Sequence, residues 1–187
     1  LDLPDKSTFA GLRDYALILT QLDTGLRPGE ALGLLPAHVE LPSTQLTVPA
    51  AKAKTRTSRT LPICQATAEA IGALLGARHP EWGPSVPIFC SADGRQLLVG
   101  SWSRRLRRLG EELDYTCRPY DLRHTFALEF LRGGGNVFAL QRIMGHADLA
   151  MTKRYLALVD ADLADQHALA SPVARLIPRT HRLRRLS

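Results

Sequence analysis

The chain has 187 residues, 45% of them hydrophobic, with 24 lysines and arginines against 18 acidic residues, a formal net charge of +6 and a pI near 9.6. That much apolar content buries an ordinary globular core in one large or two small domains, which excludes a disordered chain. The basic balance points to a polyanionic partner. No apolar run reaches the roughly 18 residues of a membrane span and no signal-peptide pattern opens the chain, so no membrane partner and a cytoplasmic, nucleoid-associated setting are expected.

Residues 1–7 (LDLPDKS) read as the end of a linker, and a chain opening at Leu1 is expected to be a fragment. A helix is predicted from about Thr8 to Leu22, capped by Ser7 or Thr8, with Phe9, Leu12, Tyr15 and Leu19 on one face. Gly25 ends it, and Pro28 fits the first turn of a second helix carrying Ala31, Leu32 and Leu35, which places Arg27 at a helix N-terminus. From Val39 to Ile63 the periodicity shortens. QLTVP and TLPI are predicted strands of a small antiparallel sheet, joined by the strongly basic hairpin AAKAKTRTSR.

Gln65 to Arg78 reads as a helix with Ala68, Ile71, Leu74 and Leu75 inward, and residues 79–99 as Pro- and Gly-rich loop with a short strand at VPIFCS. Ser101 opens a helix with Trp102, Leu106, Leu109 and Leu113 on one side and Arg104, Arg105, Arg107 and Arg108 around Leu106. Further helices are predicted over 120–131, 137–144, 149–159 and 161–170, followed by a loose basic tail at 171–187. Cys64, Cys90 and Cys117 form no CxxC pair and read as reduced thiols packed as small hydrophobes.

The stretch 118–155 sets Arg123, His124, His146 and Tyr155 on short amphipathic segments joined by glycines that let them fold back on one another. Cationic donors beside one tyrosine are what phosphoryl transfer to a tyrosine requires. A phenol with a pKa of about 10 attacks phosphorus only with charge stabilisation and an exit for its proton.

Taken with Arg27, Lys54 and Tyr120, these residues resemble the catalytic domain of the tyrosine recombinases, the phage integrase family. The matching motifs are TGLRPGEALGL, KTRTSRTLPI, YDLRHTFA, and GH followed nine residues later by tyrosine, in family order from about Thr8 to Val159. Tyr155 alone would read as a half-buried packing residue; its spacing from His146 reverses that. The resemblance implies a mainly helical α+β fold like that of the DNA breaking-rejoining enzymes, with a small antiparallel sheet at one edge and the catalytic domain spanning 8–170.

It also implies roles. Tyr155 attacks a phosphodiester, giving a 3′-phosphotyrosyl link. Arg27 and Arg123 grip the non-bridging oxygens, each such donor being worth a few kcal/mol. His146 donates to the same phosphate, and Lys54 protonates the departing oxygen. No ATP, other cofactor or metal ion is implied, because fixed cations supply the electrostatics.

Tyr120 stands where the family usually has histidine, so altered proton handling or weakened activity is expected. Glu30 either orients Arg27 through an ion pair or compensates the helix dipole. His124 reads as a structural hydrogen-bonding residue, and Arg56, Arg59, Arg104 and Arg105 as support or contacts to the DNA backbone.

The expected partner is double-stranded DNA, with self-association into a tetrameric synapse. Without an N-terminal clamping domain before the linker, weak binding by this chain alone is expected. Two competing readings stay open: a topoisomerase-like enzyme that relaxes DNA as a monomer, and a catalytically silent DNA-binding module.

Overall fold

The computed structural model describes residues 3–51, 53, 57–146, 148, 150, 152, 155, 167 and 171–173. The predicted helices over 149–159 and 161–170 and the tail therefore fall largely outside the described residues.

Helix α1 (Phe9–Thr24) starts where Thr8 Oγ1 accepts from the Gly11 N–H at 3.1 Å and ends at Gly25, which takes a left-handed φ of 60°. Its fully buried positions are not the predicted apolar face. Arg13, Asp14, Leu17, Thr20, Gln21 and Thr24 are buried, whereas Phe9, Leu12, Tyr15 and Leu19 are only partly so.

The buried polar groups find partners. Asp14 is held by Arg13 and Arg105, and Gln21 accepts from the Trp102 indole at 2.7 Å while donating to Pro119 O at 3.5 Å. Helix periodicity counted in apolar residues cannot see a face built this way.

Helix α2 (Pro28–Leu32) follows at once, with Pro28 supplying the preset φ of a first turn. Strands β1 (Val39–Glu40), β2 (Gln45–Val48) and β3 (Arg59–Pro62) form an antiparallel sheet in the order β1-β2-β3. Leu46 faces Leu61 and Val48 faces Arg59 across the β2–β3 pair. Alternation along β3 thus places Arg59 on the same inward face as buried Leu61, while Thr47 and Thr60 meet at 3.0 Å on the other face.

Helix α3 (Gln65–Gly76) packs Ala68, Ile71 and Leu74 against α1. The predicted strand at VPIFCS does not form: among the described residues only an isolated bridge, Cys90 to Gln96, pairs there. Pro84 and Pro87 have no N–H to give a ladder. Ile88 and Phe89 are nevertheless fully buried, fastened by the Ile88 N–H to Leu34 O at 2.8 Å.

Helix α4 (Val99–Glu111) buries Trp102 and Leu106, and stops short of Leu113, which is 63% exposed rather than inward. Helices α5 (Pro119–Arg132) and α6 (Val137–Met144) complete the described elements.

Two apolar clusters result. The larger joins α1, the sheet, α3 and α4; the smaller lies between α5 and α6 and contains Phe126, Ala127, Leu131, Leu140, Met144 and Tyr155. Of the three free cysteines, Cys90 is buried and Cys117 partly so, but Cys64 is exposed at the N-cap of α3 rather than packed. Among the described residues no helix is long and apolar enough to cross a membrane.

Candidate active site

The site is built on the C-terminal end of α6. Gly145 has φ 61°, and its N–H bonds to Arg142 O while the His146 N–H bonds to Gln141 O at 3.1 Å. This is the closing arrangement in which a left-handed glycine reverses the chain and satisfies two helix carbonyls. The GH dipeptide thereby fixes His146 just beyond the helix end.

The remaining carbonyls of that last turn are taken by three arginines from distant parts of the chain. Arg59 Nε donates to Ile143 O at 3.0 Å; Arg27 donates to Met144 O at 3.5 Å and Gly145 O at 3.3 Å; Arg123 Nη2 donates to Met144 O at 3.0 Å. Cations at a helix C-terminus also complement its dipole. Arg123 Nη1 reaches in the other direction, to Gly25 O at 2.5 Å, so the guanidinium bridges the ends of α1 and α6.

Glu30 neutralises part of this charge. At the third position of α2 it accepts from the Arg27 backbone N–H at 3.1 Å, from Arg27 Nη1 at 3.2 Å, and from Arg59 at 3.3 and 2.7 Å. Burial alone would raise its carboxyl. The Arg59 hydrogen bond and charge, followed by those of Arg27, outweigh that and hold it below the usual carboxylate range.

Arg123 is 4% exposed, and its pKa is pulled down to about 10, first by burial and then by the charge of Arg27. Even so, it stays protonated at neutral pH.

His146 Nε2 lies 2.9 Å from Arg123 Nη2, and Nδ1 lies 2.9 Å from Thr152 Oγ1. A guanidinium has only donors, so Nε2 accepts, Nδ1 carries the proton, and that proton goes to Thr152. Burial first, then Arg123, Arg27 and Arg59, lower the imidazole pKa to about 4.

Tyr155 is 9% exposed, with its ring in the smaller apolar cluster. Its hydroxyl stands 2.7 Å from His124 Nδ1.

The structure thus brings together Arg27, Glu30, Arg59, Arg123 and His146 on one helix end, with His124 and Tyr155 beside them. Tyr120 lies on the first turn of α5, 53% exposed, at the i, i+3, i+4 spacing that puts it on the same face as Arg123 and His124. Lys54 and Arg56 lie outside the described residues.

Arg59, one of a basic run expected to support the site or contact DNA, is turned into the protein onto Glu30. Arg105 is likewise committed to Asp14, pinning α4 to α1, whereas Arg104 is exposed and donates to Ser101 Oγ at 3.1 Å. Thr152 was not foreseen, since a threonine one turn before Tyr155 carries no mark of its own.

An open groove of about 860 Å³ runs between β3 and α6, with Arg59, Arg142, Gly145 and His146 in its wall.

The site can therefore hold a phosphate. Arg27 and Arg123 each use three of their five N–H groups on the partners named above, which leaves two on each among the described residues.

Residues 2–161 match the model of the phage integrase family. The chain is 34% identical over 172 residues to the tyrosine recombinase XerC of Rhodospirillum centenum, covering 91% of this chain and 50% of that protein. It is 35% identical over 166 residues to XerC of Rhizobium meliloti, covering 87% and 51%. It spans about half the length of these curated relatives.

Among solved structures it superposes on the XerA recombinase with a TM-score of 0.71 at 28% identity, over 86% of this chain and 57% of that one. On the Tn1549 transposon integrase, determined with transposon right end DNA, the TM-score is 0.74 at 21% identity, over 90% and 61%. The fold is that of tyrosine recombinase catalytic domains, and the chain belongs to the phage integrase family of tyrosine recombinases.

Proposed function

We propose that this chain is the catalytic domain of a site-specific DNA recombinase or integrase, which cleaves and rejoins double-stranded DNA through a 3′-phosphotyrosyl intermediate. The convergence of Arg27, Arg123 and His146 on the end of α6, with Tyr155 packed against the same helix pair, carries this reading. The Tn1549 integrase of the same fold, seen with transposon end DNA, supports duplex DNA as the partner.

Arg27 and Arg123 neutralise charge on the non-bridging oxygens as phosphorus becomes pentacoordinate. They are fixed by backbone carbonyls beforehand, so little reorganisation is left for the reaction. His146 joins them once the phosphate displaces its Nε2 from Arg123 and that nitrogen takes up a proton, which it then donates to the phosphate. Lys54 protonates the departing 5′ oxygen, and assembly of several copies on DNA supplies the partner strands for exchange.

The test uses nicked duplex DNA carrying candidate sites, so that cleavage releases a short fragment and traps the adduct, resolved on a denaturing gel. Wild type should give a covalent adduct and Tyr155→Phe none, with DNA affinity unchanged. DNA binding without an adduct would leave a silent binding module. Relaxation of supercoiled plasmid without strand exchange would favour the topoisomerase reading.

A further inference from the structure

We propose that His124 accepts the Tyr155 phenolic proton as the tyrosine attacks, and returns it on rejoining. The inference rests on the nucleophilic role given to Tyr155 above.

The geometry is direct. His124 Nδ1 and Tyr155 Oη are 2.7 Å apart, with ring centroids at 5.8 Å and planes tilted by 45°. The Tyr155 ring is fixed among Phe126, Leu131 and Met144, so the position of its hydroxyl is set by packing. His124 follows Arg123 on α5, and one helix therefore carries both a phosphate-binding guanidinium and the base. A charge on Tyr155 is felt at Arg123, so the phenol stands near the site of reaction. The His124 side chain is itself exposed, which opens the rest of its ring to solvent as a proton exit.

The alternatives on the page are poorer. Both nitrogens of His146 are engaged, by Arg123 and Thr152, and its low pKa makes it a weak base. Tyr120 is a phenol, and a neutral phenol accepts a proton poorly.

The step balances. The Tyr155 O–H bond breaks and its proton passes to Nδ1, giving an imidazolium; Oη bonds to phosphorus; the bond from phosphorus to O5′ breaks; and O5′ takes a proton from the general acid. On rejoining, the 5′-hydroxyl returns its proton to the general acid as O5′ attacks phosphorus, the bond to Oη breaks, and the Nδ1 proton goes back to Oη.

The experiment measures single-turnover cleavage of the nicked substrate by wild type, His124→Ala, His124→Asn and Tyr155→Phe, with DNA binding and thermal melts run on each. Asparagine accepts a hydrogen bond near the Nδ1 position but not a proton. We expect both His124 variants to lose cleavage on the order of 10²–10⁴-fold at unchanged DNA affinity, the span usual for general-base catalysis. Added imidazoles should restore His124→Ala, at rates that follow their basicity. Near-wild-type cleavage by His124→Asn, or folded His124→Ala that no imidazole rescues, would overturn the proposal and leave Tyr155 as nucleophile. An adduct that persists in Tyr155→Phe, or none in wild type, would remove the parent reading and this one together.

Discussion

A guanidinium cannot accept a hydrogen bond, and that single fact sets the protonation of His146. With Arg123 donating to Nε2, the ring is neutral, and adding a second proton would place a cation among Arg27, Arg59 and Arg123. Its folded-state pKa of about 4 lies below the 6.5 of a free imidazole, so the unfolded chain takes up the proton first. This contribution to stability is complete above about 6.5 and is lost as the pH falls towards 4.

Glu30, held below its ordinary 4.5, adds a loss of the same sign at the acid end of that range. Urea unfolding across pH 4–7 should show the decline, and His146→Gln should flatten its upper part. A bound phosphate reverses the local field, so the His146 ring resonances should titrate at higher pH when DNA is added, read by NMR.

Glycine and arginine decide how the elements meet. A Cβ on Gly25 would lie 2.3 Å from the Phe126 ring, at a φ of 60° that L-residues avoid. Gly25→Ala should therefore push α5 off the end of α1 and cost about 2–4 kcal/mol in urea unfolding, as strain and overpacking combine. It also moves Gly25 O away from Arg123, so cleavage should fall further than stability alone explains.

On α4 two neighbouring arginines should separate cleanly. Arg104→Ala should weaken DNA binding and lower its salt slope by about 1, whereas Arg105→Ala should leave that slope alone and reduce stability by removing one of the two guanidiniums that hold buried Asp14.

At this scale the order of elements was legible. Pro28, Gly25, Gly145 and the alternation in QLTVP and TLPI each act through local backbone chemistry, which a sequence displays. The proximity of Arg27, Arg123 and His146 was legible through motif order. What escaped was long-range pairing: the inward turn of Arg59 depends on strand register, the polar buried face of α1 on Arg105 and Trp102, and the place of Thr152 on the reversal at Gly145. None of these leaves a periodic trace.

Across the whole molecule, the larger cluster holds α1, the sheet, α3 and α4 together, while the smaller one carries Tyr155 between α5 and α6. The candidate active site lies at their junction, where Arg123 links the end of α1 to the end of α6. Three guanidiniums crowd one turn of helix there, with one carboxylate among them. The positive charge left over is what a bound anion would offset.

Anything that binds the folded chain alone raises its stability by mass action, about 2.7 kcal/mol at a hundredfold excess over Kd. For a chain of this size that corresponds to roughly 5–10 °C in Tm. Sulfate or phosphate should produce such a shift in a thermal melt, and Arg123→Ala should abolish it.

Storage conditions then acquire a meaning of their own. An oxyanion buffer would occupy the place proposed for the scissile phosphate, so the salt that best preserves this protein should also be the one that most inhibits it.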